Sequence, residues 1–232
     1  MIPHYKKIHN RFKINNFHFD HEALFQFAYS SIKEGKEYEK DLGLFLLDWL
    51  DDKETITVTT SGTTGPPKVI AIEKQAMVNS AIATGNFFNL HPQDKALLCL
   101  PPRYIAGKMM IIRAMIIGLE LDIIEPSSHL DSLYEHQKYD FGAIVPLQAE
   151  NSLVKLNQIK KIIIGGAKVS DDLALKLKEV NSEIYETYGM TETITHIAAK
   201  KIGEEYFNIL EHVTISIDDR NCLVIDAPSI SD

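Results

Sequence analysis

The sequence predicts an α/β protein: a mainly parallel sheet covered by helices, followed by a β-rich C-terminal portion. Three observations carry this. Beyond residue 95, short apolar runs alternate with amphipathic segments, the order in which β-α-β units are written. Those runs, such as Ala96-Leu97-Leu98-Cys99-Leu100 and Lys161-Ile162-Ile163-Ile164, are apolar on successive residues, as strands covered on both faces are. After residue 192 the helical spacing stops and strand-like runs follow, which divides the chain into an α/β core over residues 1–192 and the start of a β-rich subdomain over 193–232.

Taken in order, residues 1–18 show no period. Over residues 21–33, Leu24, Phe27, Ala28 and Ile32 recur at helical spacing, with Asp20 as N-cap and Gly35 as a stop. Tyr38, Leu42, Phe45, Leu46 and Trp49 mark a second amphipathic helix. Residues 55–60 alternate as a strand and 69–72 read as the next, so the segment between them joins a hairpin. A helix over 74–88 carries Met77, Ala81, Thr84 and Phe88 on one face. Then come a strand at 96–100, a helix at 105–117, a strand at 119–124, a helix at 130–137 and a strand at 142–145 with a short helix after it. A strand at 161–164 ends at Gly165-Gly166, Ser170 caps a helix to about residue 179, and a strand covers 183–187. The β-rich portion offers strands at 194–198, 213–217 and 222–225.

Composition narrows the function. The chain has 232 residues, enough to bury a sizeable core, and 45% hydrophobic content, ordinary for a soluble protein. With 32 acids against 24 bases and no dense basic run, sequence-independent nucleic-acid binding is not expected. The amino terminus lacks the apolar stretch of a secretory signal, and the most apolar segment, residues 109–124, is interrupted by Arg113, Glu120 and Asp122, so no membrane span is expected. Cys99 and Cys222 sit in apolar, strand-like runs and suggest neither a disulfide nor a zinc framework; a reducing cytoplasm suits them.

The unusual chemistry lies in loops. Thr59-Thr60-Ser61-Gly62-Thr63-Thr64-Gly65-Pro66-Pro67-Lys68 packs two glycines, five hydroxyls and a lysine into one hairpin connection. Glycines allow successive N–H groups to face one anion, while the hydroxyls and the ammonium add donors and charge. This fits a phosphate cradle as well as a solvated turn. It is not a Walker A loop, because Pro67 stands where the second glycine belongs and Val69 where the magnesium-binding hydroxyl belongs. Four further loops, at 101–104, 146–148, 165–167 and 188–192, fall at the carboxyl ends of strands, where parallel sheets bind ligands.

Two of these motifs together carry a family resemblance. Residues 60–68 resemble the phosphate-loop signature of the acyl-adenylate-forming (AMP-binding) enzymes, and Tyr188-Gly189-Met190-Thr191-Glu192 resembles their second core signature, with Gly165-Gly166-Ala167 correctly placed between them. The resemblance covers about residues 54–226. It implies ATP-dependent activation of a carboxylic acid to an acyl-adenylate, then transfer to coenzyme A, with Mg²⁺ as the metal. By match to the motifs, Thr60, Ser61, Gly62, Thr63, Thr64, Gly65 and Lys68 would hold the β- and γ-phosphates. Thr191 would donate to the α-phosphate, and Glu192 would bind Mg²⁺. Tyr188 and Gly189 would meet the adenine against Gly165, Gly166 and Ala167.

The acid is read from a different stretch. Leu100-Pro101-Pro102-Arg103-Tyr104-Ile105-Ala106-Gly107 occupies the place of the family's aromatic motif but has Arg103-Tyr104 where many members have an aromatic residue and histidine. Beyond it, Arg113 interrupts an apolar helix, which is costly unless an anion meets the guanidinium. That anion is either an internal Asp or Glu or a carboxylate of the substrate. The run from Tyr104 through Gly107 to Arg113 is similar to the o-succinylbenzoate–CoA ligase branch of the family, in menaquinone biosynthesis. This implies Tyr104, Gly107 and Arg113 as acid-binding residues, with Arg113 holding the second carboxylate. The alternatives are another aryl or fatty acid, or a non-catalytic nucleotide-binding relative. The family's small C-terminal catalytic domain has no counterpart before Asp232, so a truncated form with little complete turnover is expected. The partners implied are a small carboxylic acid, ATP and coenzyme A, and a homodimer is left open.

Overall fold

The computed structural model describes residues 2–59 and 68–227, and these form a three-layer α/β/α arrangement with a mixed sheet. Residues 60–67 of the hairpin loop lie outside the described residues.

Two short strands, β1 (Lys13–Ile14) and β2 (Phe17–His18), precede α1 (His21–Glu34) and α2 (Glu37–Leu50). The Asp20 carboxylate accepts from the Ala23 N–H at 2.8 Å, which fixes the start of α1 as its sequence indicates. A hairpin of β3 (Thr55–Thr59) and β4 (Val69–Glu73) follows, then α3 (Lys74–Phe88), β5 (Lys95–Leu98), α4 (Ile105–Ile117) and β6 (Glu120–Ile123). Next come β7 (Tyr139–Ile144), α5 (Pro146–Asn151), α6 (Leu153–Leu156), β8 (Ile159–Ile164), α7 (Asp171–Leu177) and β9 (Glu183–Gly189). The chain continues with β10 (His196–Lys201), β11 (Asn208–Ile209), β12 (Thr214–Ile217) and β13 (Leu223–Asp226).

Among the described residues, the main sheet has nine strands in the order β11-β10-β9-β8-β7-β5-β6-β1-β2. From β1 to β9 across its centre the pairing is parallel, while β2, β10 and β11 join antiparallel. The period of two along each strand sends alternate side chains into two cores. Ala96, Leu98, Phe141, Ala143 and Ile163 pack under α1 to α4 and the β3–β4 hairpin. Leu97, Cys99, Ile144, Ile162, Ile164 and Ile184 pack under α6, α7, Leu130 and Leu133. Helix α4 is buried from Gly107 to Ile117, the reason its sequence is apolar apart from Lys108 and Arg113. No helix among the described residues is long and apolar enough to cross a membrane.

Three sequence expectations need correction. Residues 130–137 form turns, not a helix. Leu130 and Leu133 are buried at helical spacing, but the Gln158 amide takes the carbonyls of Tyr134 and Gln137 at 2.6 and 2.8 Å and holds the backbone in turns. The strand expected at 194–198 begins at His196, because Ile194 takes a left-handed φ of 65°. Residues 1–18, which show no strong period, supply strands of two residues to the sheet, too short to leave one. Cys99 is buried as expected, its thiol pushed up to about 12 by desolvation, but Cys222 is exposed in a turn before β13.

Candidate functional site

Parallel pairing of β5, β7, β8 and β9 brings the loops beyond their carboxyl ends to one edge of the sheet. Buried Gln148 holds two of them in place. Its amide donates to the carbonyls of Cys99 and Ser127 at 3.0 and 2.8 Å, while its oxygen accepts from Val145 N–H at 3.1 Å.

The glycine loop after β8 and the aromatic motif at the end of β9 are brought together. Gly165 N–H donates to the Ile144 carbonyl at 3.2 Å, and the Thr187 hydroxyl donates to the Ile164 carbonyl at 3.0 Å. Gly166 has φ +84°, a left-handed conformation suited to glycine. Tyr188 is 43% exposed, so it is not a core aromatic, and its ring meets Phe207 edge-on at 6.2 Å. Gly189 pairs with His196, and any Cβ there would run into the Thr195 carbonyl.

The next turn presents Thr191, half-buried, and Glu192, exposed. It is closed by the Ile194 N–H donating to the Thr191 carbonyl at 2.9 Å and by Met190 N–H donating to the Thr193 hydroxyl at 2.9 Å. Lys68 is exposed immediately before β4, and the pairing of Thr59 with Val69 holds both ends of the loop it closes. Thr60, Ser61, Gly62, Thr63, Thr64 and Gly65 lie outside the described residues.

The acid-side residues sit on α4. Tyr104 stands at its N-cap, 47% exposed, with the Arg103 guanidinium 5.1 Å from its ring centre. Gly107 lies so close to the Pro101 carbonyl that a Cβ would collide with it. Arg113 is 1% exposed. Among the described residues no carboxylate pairs with it, so the internal Asp or Glu partner is not found there. Its Nη2 donates to Thr195 Oγ1 at 3.1 Å, Nη1 meets Met110 Sδ at 3.7 Å, and Nε has no partner among the described residues. Burial lowers its pKa to about 9, which leaves it charged at neutral pH.

Sequence reasoning passed over the residues around this guanidinium. Thr195 and His196, and Thr84 from α3, form a polar patch in an apolar region. The available signal was a Thr-His pair inside an otherwise apolar run, Ile194 to Ala199. Desolvation, and then the Arg113 charge, push His196 well below the usual histidine range. Among the described residues no three His, Cys, Asp or Glu side chains gather as a metal cluster.

The chain is 26% identical over 168 residues to a 2-succinylbenzoate–CoA ligase of Lactococcus lactis, covering 71% of this chain and 36% of that protein. It is 30% identical over 151 residues to the enzyme of that name from Staphylococcus aureus, covering 62% of this chain and 30% of that protein. The chain thus spans roughly a third of the length of these curated relatives. An acyl-CoA synthetase (AMP-forming)/AMP-acid ligase II-like protein from Dyadobacter fermentans superposes with a TM-score of 0.78 at 31% identity, covering 88% of this chain and 61% of that one. An O-succinylbenzoate coenzyme A synthetase from Bacillus subtilis, solved with ATP and magnesium ion, shares the fold at TM-score 0.63 and 21% identity over 75% of this chain and 41% of that one. The model of the AMP-binding enzyme family matches residues 31–229, and the chain belongs to that family.

Proposed function

We propose that this chain is the acid-activating part of an ATP-dependent acid–CoA ligase whose acid is 2-succinylbenzoate. The observation that carries the choice of acid is Arg113, a charged guanidinium in an apolar helix with an unpartnered Nε and no carboxylate pair among the described residues. 2-Succinylbenzoate carries two carboxylates. One is activated and the other needs an anchor, and a buried cation lacking an anion is the anchor such a substrate requires. The names of the curated relatives support the same acid.

The reaction joins anions, so its barrier falls when fixed donors and cations face the phosphates. In this reading the hydroxyls and N–H groups of residues 60–65, with Lys68, hold the β- and γ-phosphates. Thr191 donates to the α-phosphate, and Tyr188 covers the adenine beside Gly165 to Ala167. The exposed carboxylate of Glu192 suits Mg²⁺, which takes one or two carboxylates together with phosphate oxygens and water; the ion would neutralise phosphate charge. The acid's carboxylate oxygen attacks the α-phosphorus and pyrophosphate departs. Coenzyme A thiolate then takes the acyl group and releases AMP.

A thermal-shift screen of the chain with ATP–Mg²⁺ and a panel of acids tests the proposal, since a ligand that binds only the native state raises its stability. The expected result is a rise with ATP–Mg²⁺ and a further rise with 2-succinylbenzoate that benzoate and a long-chain fatty acid do not give. A larger rise with a monocarboxylic acid would overturn the choice of acid, and no rise with any ATP–acid pair would favour a non-catalytic relative.

A further inference from the structure

Helices α3 and α4 and the start of β10 bury a string of polar groups whose hydrogen bonds can be ordered by elimination. The Thr84 hydroxyl has one proton and gives it to the Ser80 carbonyl at 3.0 Å. At its 3.4 Å contact with His196 Nε2 it can then only accept, so Nε2 carries the ring proton. A neutral imidazole has one N–H, which makes Nδ1 an acceptor, and the Thr195 hydroxyl 3.3 Å away donates to it. Thr195 Oγ1 in turn accepts from Arg113 Nη2 at 3.1 Å. Every bond runs the same way, from the guanidinium to the Ser80 carbonyl. The buried ring beside a cation stays neutral, as this direction requires.

Thr195 also closes the turn that carries Thr191 and Glu192. Its carbonyl lies 2.8 Å from the Thr193 hydroxyl, which also bonds Met190, and it packs against the face of Gly189. Ile194, between the two threonines, is fully buried with φ 65°. A β-branched residue resists that conformation, which persists only when its surroundings over-determine it. The string of bonds beginning at Thr195 supplies such surroundings.

We propose that Thr195 and His196 are positioning residues that couple the two sides of the site: they hold the Arg113 guanidinium with its Nε–H unspent and, through the same threonine, hold the strained turn that presents Thr191 and Glu192. The acid side of this proposal rests on the reading of Arg113 as the anchor of a second carboxylate.

Two measurements on the 232-residue chain test it. Nitrogen-15 NMR of the His196 ring needs no ligand. The expected signature is the neutral Nε2–H tautomer, and an Nδ1–H tautomer or a charged ring at neutral pH would overturn the ordering. Calorimetry then compares Thr195→Val, Thr195→Ser, His196→Leu and His196→Gln for ATP–Mg²⁺ and for 2-succinylbenzoate. Thr195→Val should weaken both ligands roughly tenfold, the worth of one hydrogen bond to a charged group, while Thr195→Ser stays near wild type. Gln at 196 can both accept from Thr195 and donate to Thr84, so His196→Gln should recover affinity that His196→Leu loses. Equal binding by Thr195→Val and Thr195→Ser, or a loss confined to one ligand, would overturn the coupling. If the unaltered chain binds ATP–Mg²⁺ but not 2-succinylbenzoate, the choice of acid fails; the ring tautomer and the ATP affinities still judge the positioning role.

Discussion

Replacing Arg113 by methionine should make the protein more stable and less able to bind its acid. The guanidinium is 1% exposed, its Nε has no partner among the described residues, and burial lowers its pKa from 12.5 to about 9. For a base whose folded pKa is depressed, the penalty is fully present below the folded value, hence at neutral pH. A depression of this size corresponds to on the order of 5 kcal/mol, an upper bound. Against it stands the charge-assisted Nη2 bond to Thr195, worth about 1.5–3 kcal/mol. Methionine is flexible and apolar and would sit beside Met110, and replacing buried ionic groups by apolar residues of similar volume has gained about 1–4 kcal/mol in other proteins. We expect a gain of about 1–3 kcal/mol, which for a chain of this size raises the melting temperature by roughly 2–4 °C per kcal/mol. Urea and thermal unfolding followed by circular dichroism at neutral pH measure the first effect, and calorimetry with 2-succinylbenzoate measures the second. A folded Arg113→Met protein less stable than wild type would show that the guanidinium has a favourable partner and refute the reasoning. Unchanged acid affinity would refute the anchor.

Two other outcomes follow from the same region. His196 is held below the usual histidine value, so the unfolded chain binds a proton that the native chain refuses. Stability is therefore full above about pH 6.5 and falls as pH drops below it, by up to about 1.4 kcal/mol per unit. His196→Gln should flatten that slope in urea titrations between about pH 5 and 6.5, and identical slopes would rule the histidine out as its source. Gly189→Ala pushes a methyl group into the Thr195 carbonyl and the His196 backbone, so it should destabilise by roughly 1–3 kcal/mol and weaken ATP–Mg²⁺ binding. Wild-type stability and affinity would mean that the β9–β10 junction yields at no cost.

Local chemistry determined much of this protein. The Asp20 and Ser170 caps, the apolar strands of the sheet and the apolar helix carrying Arg113 follow from side-chain period and capping groups, which act over a few residues. The loop motifs named the family, and parallel topology placed two of them, residues 165–167 and 188–192, on one edge, because β-α-β order sends every such loop to the same side. What the sequence left open depends on distant partners. Residues 130–137 have helical spacing, yet Gln158 holds their carbonyls in turns. The two-residue strands β1 and β2 are too short to show a period and form because β6 offers a free edge. Whether Arg113 meets an internal carboxylate could not be read from its own helix; tertiary packing gave it Thr195, 82 positions away, and left Nε unpartnered among the described residues. The conformation of Ile194 and the direction of the bonds through His196 were decided in the same way, by groups that only the folded chain brings within hydrogen-bonding distance.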